Sequence, residues 1–404
     1  MRAVVWHGVG DIRMESVPDP KIKEPTDAIV MLTRSAICGT DLHMVRGTMS
    51  GMVPGTILGH EGVGIVQEVG SQVRNYKAGA RVVIPSTIAC GYCSYCRAGY
   101  NAQCDNANPN GKAAGTTFFG GPKQTGPIQG LQAEYARIPF ASSTLVALPE
   151  DISDEQAIPV SDIFPTGYFA ADEAEVKPGD TVAVFGCGPV GLFAIASAGL
   201  LGARRIFAID RVADRLSVAQ MLGAEVIDFE KEHPVEVLKE LTGGIGPDRV
   251  IDAVGVDAVR PKHGPAAKEA KQQADEFKRE SKQISPEKNP DGENWVPGDA
   301  PSQVLNWAVE SVAKAGTVCL TGVYPESAKT YPVGKSMNKN ITVKGGNCNH
   351  LRYAAKLLQM VRSGVIKPEH ILTKHEPMTD VIDAYRHFDT RDAGWIKVEL
   401  RPSA

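Results

Sequence analysis

Cys38 and His60 are the residues of this 404-residue chain with the most chemistry to offer. The first opens Cys38-Gly39-Thr40-Asp41-Leu42-His43, and the second sits in Gly59-His60-Glu61-Gly62-Val63-Gly64. A thiolate and an imidazole both suit zinc, and the glycine- and proline-bearing loop from Gly47 to Gly59 lets the two converge on one ion. Two ligands leave a tetrahedron incomplete. A third from the protein, with the fourth position left to water or substrate, would make the site catalytic. Taken singly, a buried thiol and a core histidine are ordinary; with Glu61 beside them and a dinucleotide motif downstream, the ligand reading prevails. The candidate for the third ligand is Asp162, in Pro159-Val160-Ser161-Asp162-Ile163-Phe164-Pro165-Thr166-Gly167. Asp and Ser are also favoured helix caps and proline suits a first turn, so the residues alone leave ligand and cap both standing.

A second cluster reads Cys90-x2-Cys93-x2-Cys96-x7-Cys104. Four thiolates on a tight loop, with no histidine and no opening for water, predict a closed structural zinc site that stiffens residues 90–115. An iron–sulfur cluster is the competitor, but the last gap is longer than the ferredoxin run allows. A third motif, Gly186-Cys187-Gly188-Pro189-Val190-Gly191, follows the apolar strand Thr181-Val182-Ala183-Val184-Phe185 and opens an apolar helix. Its glycines serve a tight turn, backbone approach to a pyrophosphate, and close packing of helix on strand, with the helix N-terminus facing the anion. Nineteen residues after Gly191 stands Asp210, placed to accept from a ribose diol and to favour NAD over NADP, although the adjacent Arg211 counts the other way. Pro189, Val190 and Arg215 complete the cofactor-side candidates.

These motifs need two kinds of scaffold. Short apolar runs punctuated by Gly, Pro and Asp fill the first third and predict a β-rich module over 1–162, to which residues 344–404 return. Strands alternating with helical patterns predict a doubly wound parallel α/β sheet over 163–343. Within it, residues 260–300 carry eight Lys/Arg against eight Asp/Glu with almost no apolar periodicity until Trp295. They read as a polar helix plus loop, inserted at the sheet edge where such folds hold ligands.

Hydrophobic residues make up 43% and charged ones 22%, with a formal net charge of −4 and both signs scattered. That balance argues against nucleic acid or a membrane surface as partner. No apolar signal core or membrane span is evident, and half of the eight cysteines fall at metal spacing, so reduced thiols in a cytoplasmic protein are expected.

Together, Cys38-Gly39-Thr40-Asp41, Gly59-His60-Glu61-Gly62-x-Gly64, the four-cysteine lobe and Gly186-x-Gly188-x-x-Gly191 resemble the zinc-dependent medium-chain alcohol dehydrogenases over nearly the whole chain. The Ser161-to-Gly167 segment is similar to the glutathione-independent formaldehyde dehydrogenase branch, where aspartate replaces cysteine as third zinc ligand. The resemblance implies a GroES-like catalytic domain, a Rossmann NAD-binding domain, two zinc ions per chain, a small alcohol or aldehyde substrate, and homodimers or homotetramers. It implies that Cys38, His60 and Asp162 hold the catalytic zinc with Glu61 close behind. Thr40 would receive the substrate proton, His43 would pass it outward, Lys397 would meet the cofactor phosphates, and the 260–300 insertion would cover the dinucleotide. A polyol, amino-alcohol or secondary-alcohol dehydrogenase would share this machinery. A zinc-free enone or quinone reductase would lack the Cys38/His60 pair, and a non-catalytic scaffold would bind little metal.

Overall fold

The strand Ala28–Ile37 is buried along most of its length because both of its edges are occupied. In the computed structural model, which describes residues 1–402, it pairs antiparallel with Gly62–Val69 on one side and with Val398–Arg401 and Tyr135–Ile138 on the other. These strands, with Arg81–Ile84, Val146–Ala147 and Lys374–Pro377, make a seven-stranded sheet. A smaller sheet of Arg2–Gly8, Asp11–Ser16 and Thr56–Ile57 completes the β-rich unit. The register Val398↔Ile37 shows how the C-terminal residues return to this unit. The final strand begins at Val398, because the amides of Ile396 and Lys397 just before it turn to the hydroxyl of Thr373.

The second unit is built on six parallel strands in the spatial order Glu225–Asp228, Arg205–Asp210, Thr181–Phe185, Arg249–Asp252, Thr317–Leu320, Thr342–Gly345. The sheet starts at its middle strand, runs to one edge and then restarts toward the other, which is the doubly wound order with its switch point beside Thr181–Phe185. Thr181–Phe185 is wholly buried, as a central parallel strand covered on both faces must be. The expected α/β class with a GroES-like β-rich domain and a Rossmann sheet is what the chain forms.

The units comprise 1–165, 289–295 and 347–404 in one, and 166–288 with 296–346 in the other. The divisions fall at 165/166 and 346/347 instead of the expected 162/163 and 343/344, and 289–295 also joins the first unit. The helix Ile163–Glu173 straddles the first junction. The charged insertion is also not one element: Ala266–Gln272 and Ala274–Ile284 are helices of the second unit, whereas 289–295 belongs to the first. Trp295 explains that return. Its side chain is buried in the apolar cluster of Trp6, Leu42, Met44, Tyr385 and Phe388, and its amide donates to Asp389 Oδ2 at 2.7 Å. No helix among the described residues is long and apolar enough to cross a membrane.

Candidate active site

Cys38 sits at the mouth of the helix Gly39–Arg46, at the end of the central strand, so its thiol is held by two regular elements. Asp41, in the first turn, reaches back to accept from the Cys38 amide at 2.9 Å, one half of a capping box. The same carboxylate lies 3.3 Å from His60 Nδ1 and accepts from Gln132 Nε2 at 3.2 Å. A carboxylate on the far nitrogen of an imidazole orients the ring and leaves Nε2 to a metal. That nitrogen is 3.5 Å from Asp162 Oδ2, and Cys38 Sγ is 3.6 Å from the same oxygen. Cys38, His60, Glu61 and Asp162 each offer a ligand atom within 4.8 Å of the others, and all four are buried.

The electrostatics of the cluster favour a cation. Burial and the Asp162 charge push the Cys38 thiol up. Burial works against charge on His60, but Asp41 and Cys38 more than reverse it and hold the imidazole well above its usual range. Burial would raise Asp162 too, yet hydrogen bonds from His350 and His60 keep its carboxyl well below the usual carboxylate range. Potential anions crowded into a dry site are costly unless a positive ion joins them, and thiolate, imidazole and carboxylate are the donors zinc takes. The residues present therefore fit the ion.

Thr40 Oγ1 lies 3.9 Å from Cys38 Sγ. His43, one turn on, is buried with Nδ1 2.7 Å from Thr48 Oγ1. Glu61 Oε1 accepts from Lys397 Nζ, which also donates to the Ile37 carbonyl at 2.9 Å. Lys397, expected on cofactor phosphates, is instead wholly buried and paired with Glu61 of the donor cluster. Burial opposes its charge, but Glu61 and Cys38 hold its ammonium above the ordinary lysine range.

Sequence reasoning missed Asp41, Ser86 and His350. The carboxylate of Asp162 accepts at Oδ1 from His350 Nε2 at 2.8 Å and from Ser86 Oγ at 3.0 Å. Asp41 carried a signal in its capping-box spacing from Cys38. His350 lies 188 residues from Asp162 and carried none.

In the lobe, amides point at sulfur: Cys90 N at Cys104 Sγ (3.2 Å), Cys93 N at Cys90 Sγ (3.4 Å) and Cys96 N at Cys93 Sγ (3.4 Å). All four cysteines are free thiols and their sulfurs lie within 4.8 Å of one another, as a closed four-thiolate zinc site requires.

The second unit carries the glycine loop. Gly186 has φ +89°, and a Cβ on Gly191 would stand 1.8 Å from the Gly186 carbonyl, so neither position tolerates a side chain. Gly188 faces open space, with Arg215 Nη1 at 3.8 Å from where its Cβ would be. Pro189 and Val190 open the helix Pro189–Leu200. Asp210 Oδ2 accepts from the Cys187 amide at 2.7 Å, and Oδ1 from the amides of Arg211 (2.6 Å) and Val212 (3.0 Å).

A GroES-like unit with two zinc-type donor clusters, and a doubly wound unit with a phosphate-binding glycine loop, define a zinc-dependent oxidoreductase. Comparison with known proteins agrees. Residues 24–150 match the model of the alcohol dehydrogenase GroES-like domain and 189–262 that of the zinc-binding dehydrogenases. An uncharacterized zinc-type alcohol dehydrogenase-like protein of Bacillus subtilis is 37% identical over the full length of both chains. The solved alcohol dehydrogenase TADH from Thermus sp. ATN1 superposes with a TM-score of 0.80 at 34% identity, covering 99% of each chain. A glutathione-independent formaldehyde dehydrogenase of Pseudomonas aeruginosa is 38% identical over 67% of this chain and 69% of its own. The chain belongs to the zinc-dependent medium-chain alcohol dehydrogenase family and is a zinc-type alcohol dehydrogenase-like oxidoreductase.

Proposed function

We propose that the protein is an NAD-dependent dehydrogenase that moves a hydride between the cofactor and a small alcohol or aldehyde hydrate, with formaldehyde dehydrogenase-like character. The observation that carries this reading is the convergence of Cys38 Sγ and His60 Nε2 on Asp162 Oδ2, at 3.6 and 3.5 Å, which puts a thiol, an imidazole and a carboxylate within reach of one ion. When bound, zinc supplies Lewis acidity toward the substrate oxygen and NAD supplies the hydride acceptor. Thr40, two residues from Cys38, takes the hydroxyl proton, and His43 passes it on, with Thr48 hydrogen-bonded to its ring. Asp41 holds the His60 ring in place, and Glu61, neutralised by Lys397, backs the ligand set. On the second unit, Asp210 sets the preference for NAD, and Gly186, Gly188 and Gly191 admit the pyrophosphate.

The exposed edge strand Thr342–Gly345 supports a homo-oligomer built through that sheet edge. The composition and the reduced thiols support a cytoplasmic location. The test is a substrate panel: NAD reduction with formaldehyde, short primary alcohols and polyols, on protein of measured zinc content. Turnover of aldehyde and short alcohols is expected, and no turnover by protein holding two zinc ions per chain would overturn the assignment.

A further inference from the structure

We propose that His350, assisted by Ser86, restricts Asp162 to one-oxygen ligation and thereby keeps the fourth zinc position open for substrate. The inference rests on the reading that Asp162 is a zinc ligand. A carboxylate can offer a metal one oxygen or two. With Cys38 and His60 already in place, a two-oxygen aspartate would supply the third and fourth donor atoms and close the tetrahedron, giving an inert site of the structural kind.

The geometry divides the labour between the oxygens. Oδ2 faces Cys38 Sγ and His60 Nε2, whereas Oδ1 accepts from His350 Nε2 and Ser86 Oγ. The donors are themselves fixed. His350 is buried at the start of the helix His350–Arg362, and its Nδ1 lies 3.2 Å from Thr87 Oγ1. A hydroxyl donated to Nδ1 leaves the proton on Nε2, where it points at Asp162. Ser86 is tied by its amide to the Ser161 carbonyl at 3.0 Å, one residue before Asp162. Asn349, next to His350, accepts from the Ala102 amide at 3.0 Å, which anchors the helix start to the four-cysteine lobe. Oδ1 is therefore gripped from the segment Ser86–Thr87 and from a helix some 188 residues away in sequence. Rotating it onto a metal would break two buried hydrogen bonds and strand their donors. His350 is thus a positioning residue.

The test uses the full-length protein with zinc in the lobe and cobalt exchanged into the catalytic site. Cobalt affinity is measured by chelator competition, and access to the fourth position by the response of the ligand-field bands to added azide. His350→Ala should lower affinity about 10- to 100-fold and blunt that response. Ser86→Ala should do the same to a smaller degree. His350→Gln, which can still donate where Nε2 does, should restore most of both signals. Azide response and affinity in Ser86→Ala and His350→Ala that match the parent, while Asp162→Ala loses cobalt, overturn the positioning role and leave the ligand set standing. Unchanged cobalt binding in Asp162→Ala overturns the ligand set and this inference together. Should His350→Ala not fold, Ser86→Ala and His350→Gln carry the decision: parent-like behaviour in the first, or full loss in the second, counts against the proposal.

Discussion

Lys397 and Glu61, 336 residues apart in sequence, form an ion pair with no solvent exposure on either side chain. The lysine stands just before the strand Val398–Arg401 and the glutamate just after His60, so the pair pins the C-terminal strand to the metal segment. Neither charge has water to fall back on, so each depends on the other to offset the cost of its burial.

Removing one partner should therefore cost far more than removing both. Lys397→Met leaves the Glu61 carboxylate buried and unpaired and is expected to destabilise the protein by about 3–5 kcal/mol. The double variant Lys397→Met/Glu61→Leu should recover most of that. Denaturant titration of the single and double variants checks it, and a double variant no more stable than Lys397→Met would show that the pair is not the source of the cost.

The same pair illustrates what was legible beforehand. Cys38, His60, the four-cysteine lobe and the glycine loop were readable because each chemistry is carried by residues close in sequence, with spacing that zinc or a pyrophosphate dictates. Asp162 was readable as a ligand only through resemblance, since its local setting equally suits a cap. Lys397 is placed on the phosphates by resemblance alone, and nothing near it in sequence hints that its partner is Glu61. His350 and Ser86 gave nothing at all, since a hydrogen bond across 188 residues leaves no periodic trace. The insertion's return to the first unit did leave one: Trp295, an aromatic at the end of a polar run.

Trp295 should behave as a core residue. It is buried among Trp6, Met44 and Tyr385, and its backbone, at φ +60°, is held in the left-handed region where a bulky residue is strained. Truncation to Ala removes a large buried ring, at about 3–5 kcal/mol. A lowered unfolding midpoint with partial loss of blue-shifted tryptophan emission is expected, since Trp6 and Trp307 are also buried, and a midpoint within about 1 °C of the parent would contradict the packing.

Metal removal should separate the two clusters. Cys93→Ser breaks the four-thiolate set and should leave about one zinc per chain. Because Asn349 ties the lobe to the helix that begins with His350, the variant should also hold its remaining zinc more weakly. Metal analysis after dialysis against a graded chelator reads both effects; two zinc ions retained per chain would rule out the lobe as a metal site.

The edge strand Thr342–Gly345 offers a third readout. Val343 is 41% exposed on it, and Met337, in the helix Val333–Asn338 just before it, is 74% exposed. An unpaired edge flanked by apolar side chains is a template for a second copy. Val343→Lys with Met337→Lys should shift the protein toward monomer in analytical ultracentrifugation, with metal content unchanged. A monomeric parent would remove the basis for the proposed oligomer.

In the proposed function Asp210 selects the cofactor, and its geometry makes the prediction sharper than charge alone would. Its two oxygens hold the amides of Cys187, Arg211 and Val212, so the carboxylate braces the glycine loop besides standing where a ribose diol would be met. Asp210→Asn keeps one acceptor oxygen but loses the charge and one charge-assisted bond, which are together worth about 1.5–3 kcal/mol. KM for NAD should rise about ten- to hundred-fold with kcat little changed, because the loss falls on cofactor binding. With the negative charge gone and Arg211 and Arg215 nearby in sequence, KM for NADP should fall in the same variant. Steady-state kinetics with both cofactors tests the pair of shifts, and an unchanged NAD-to-NADP ratio would place the discrimination elsewhere.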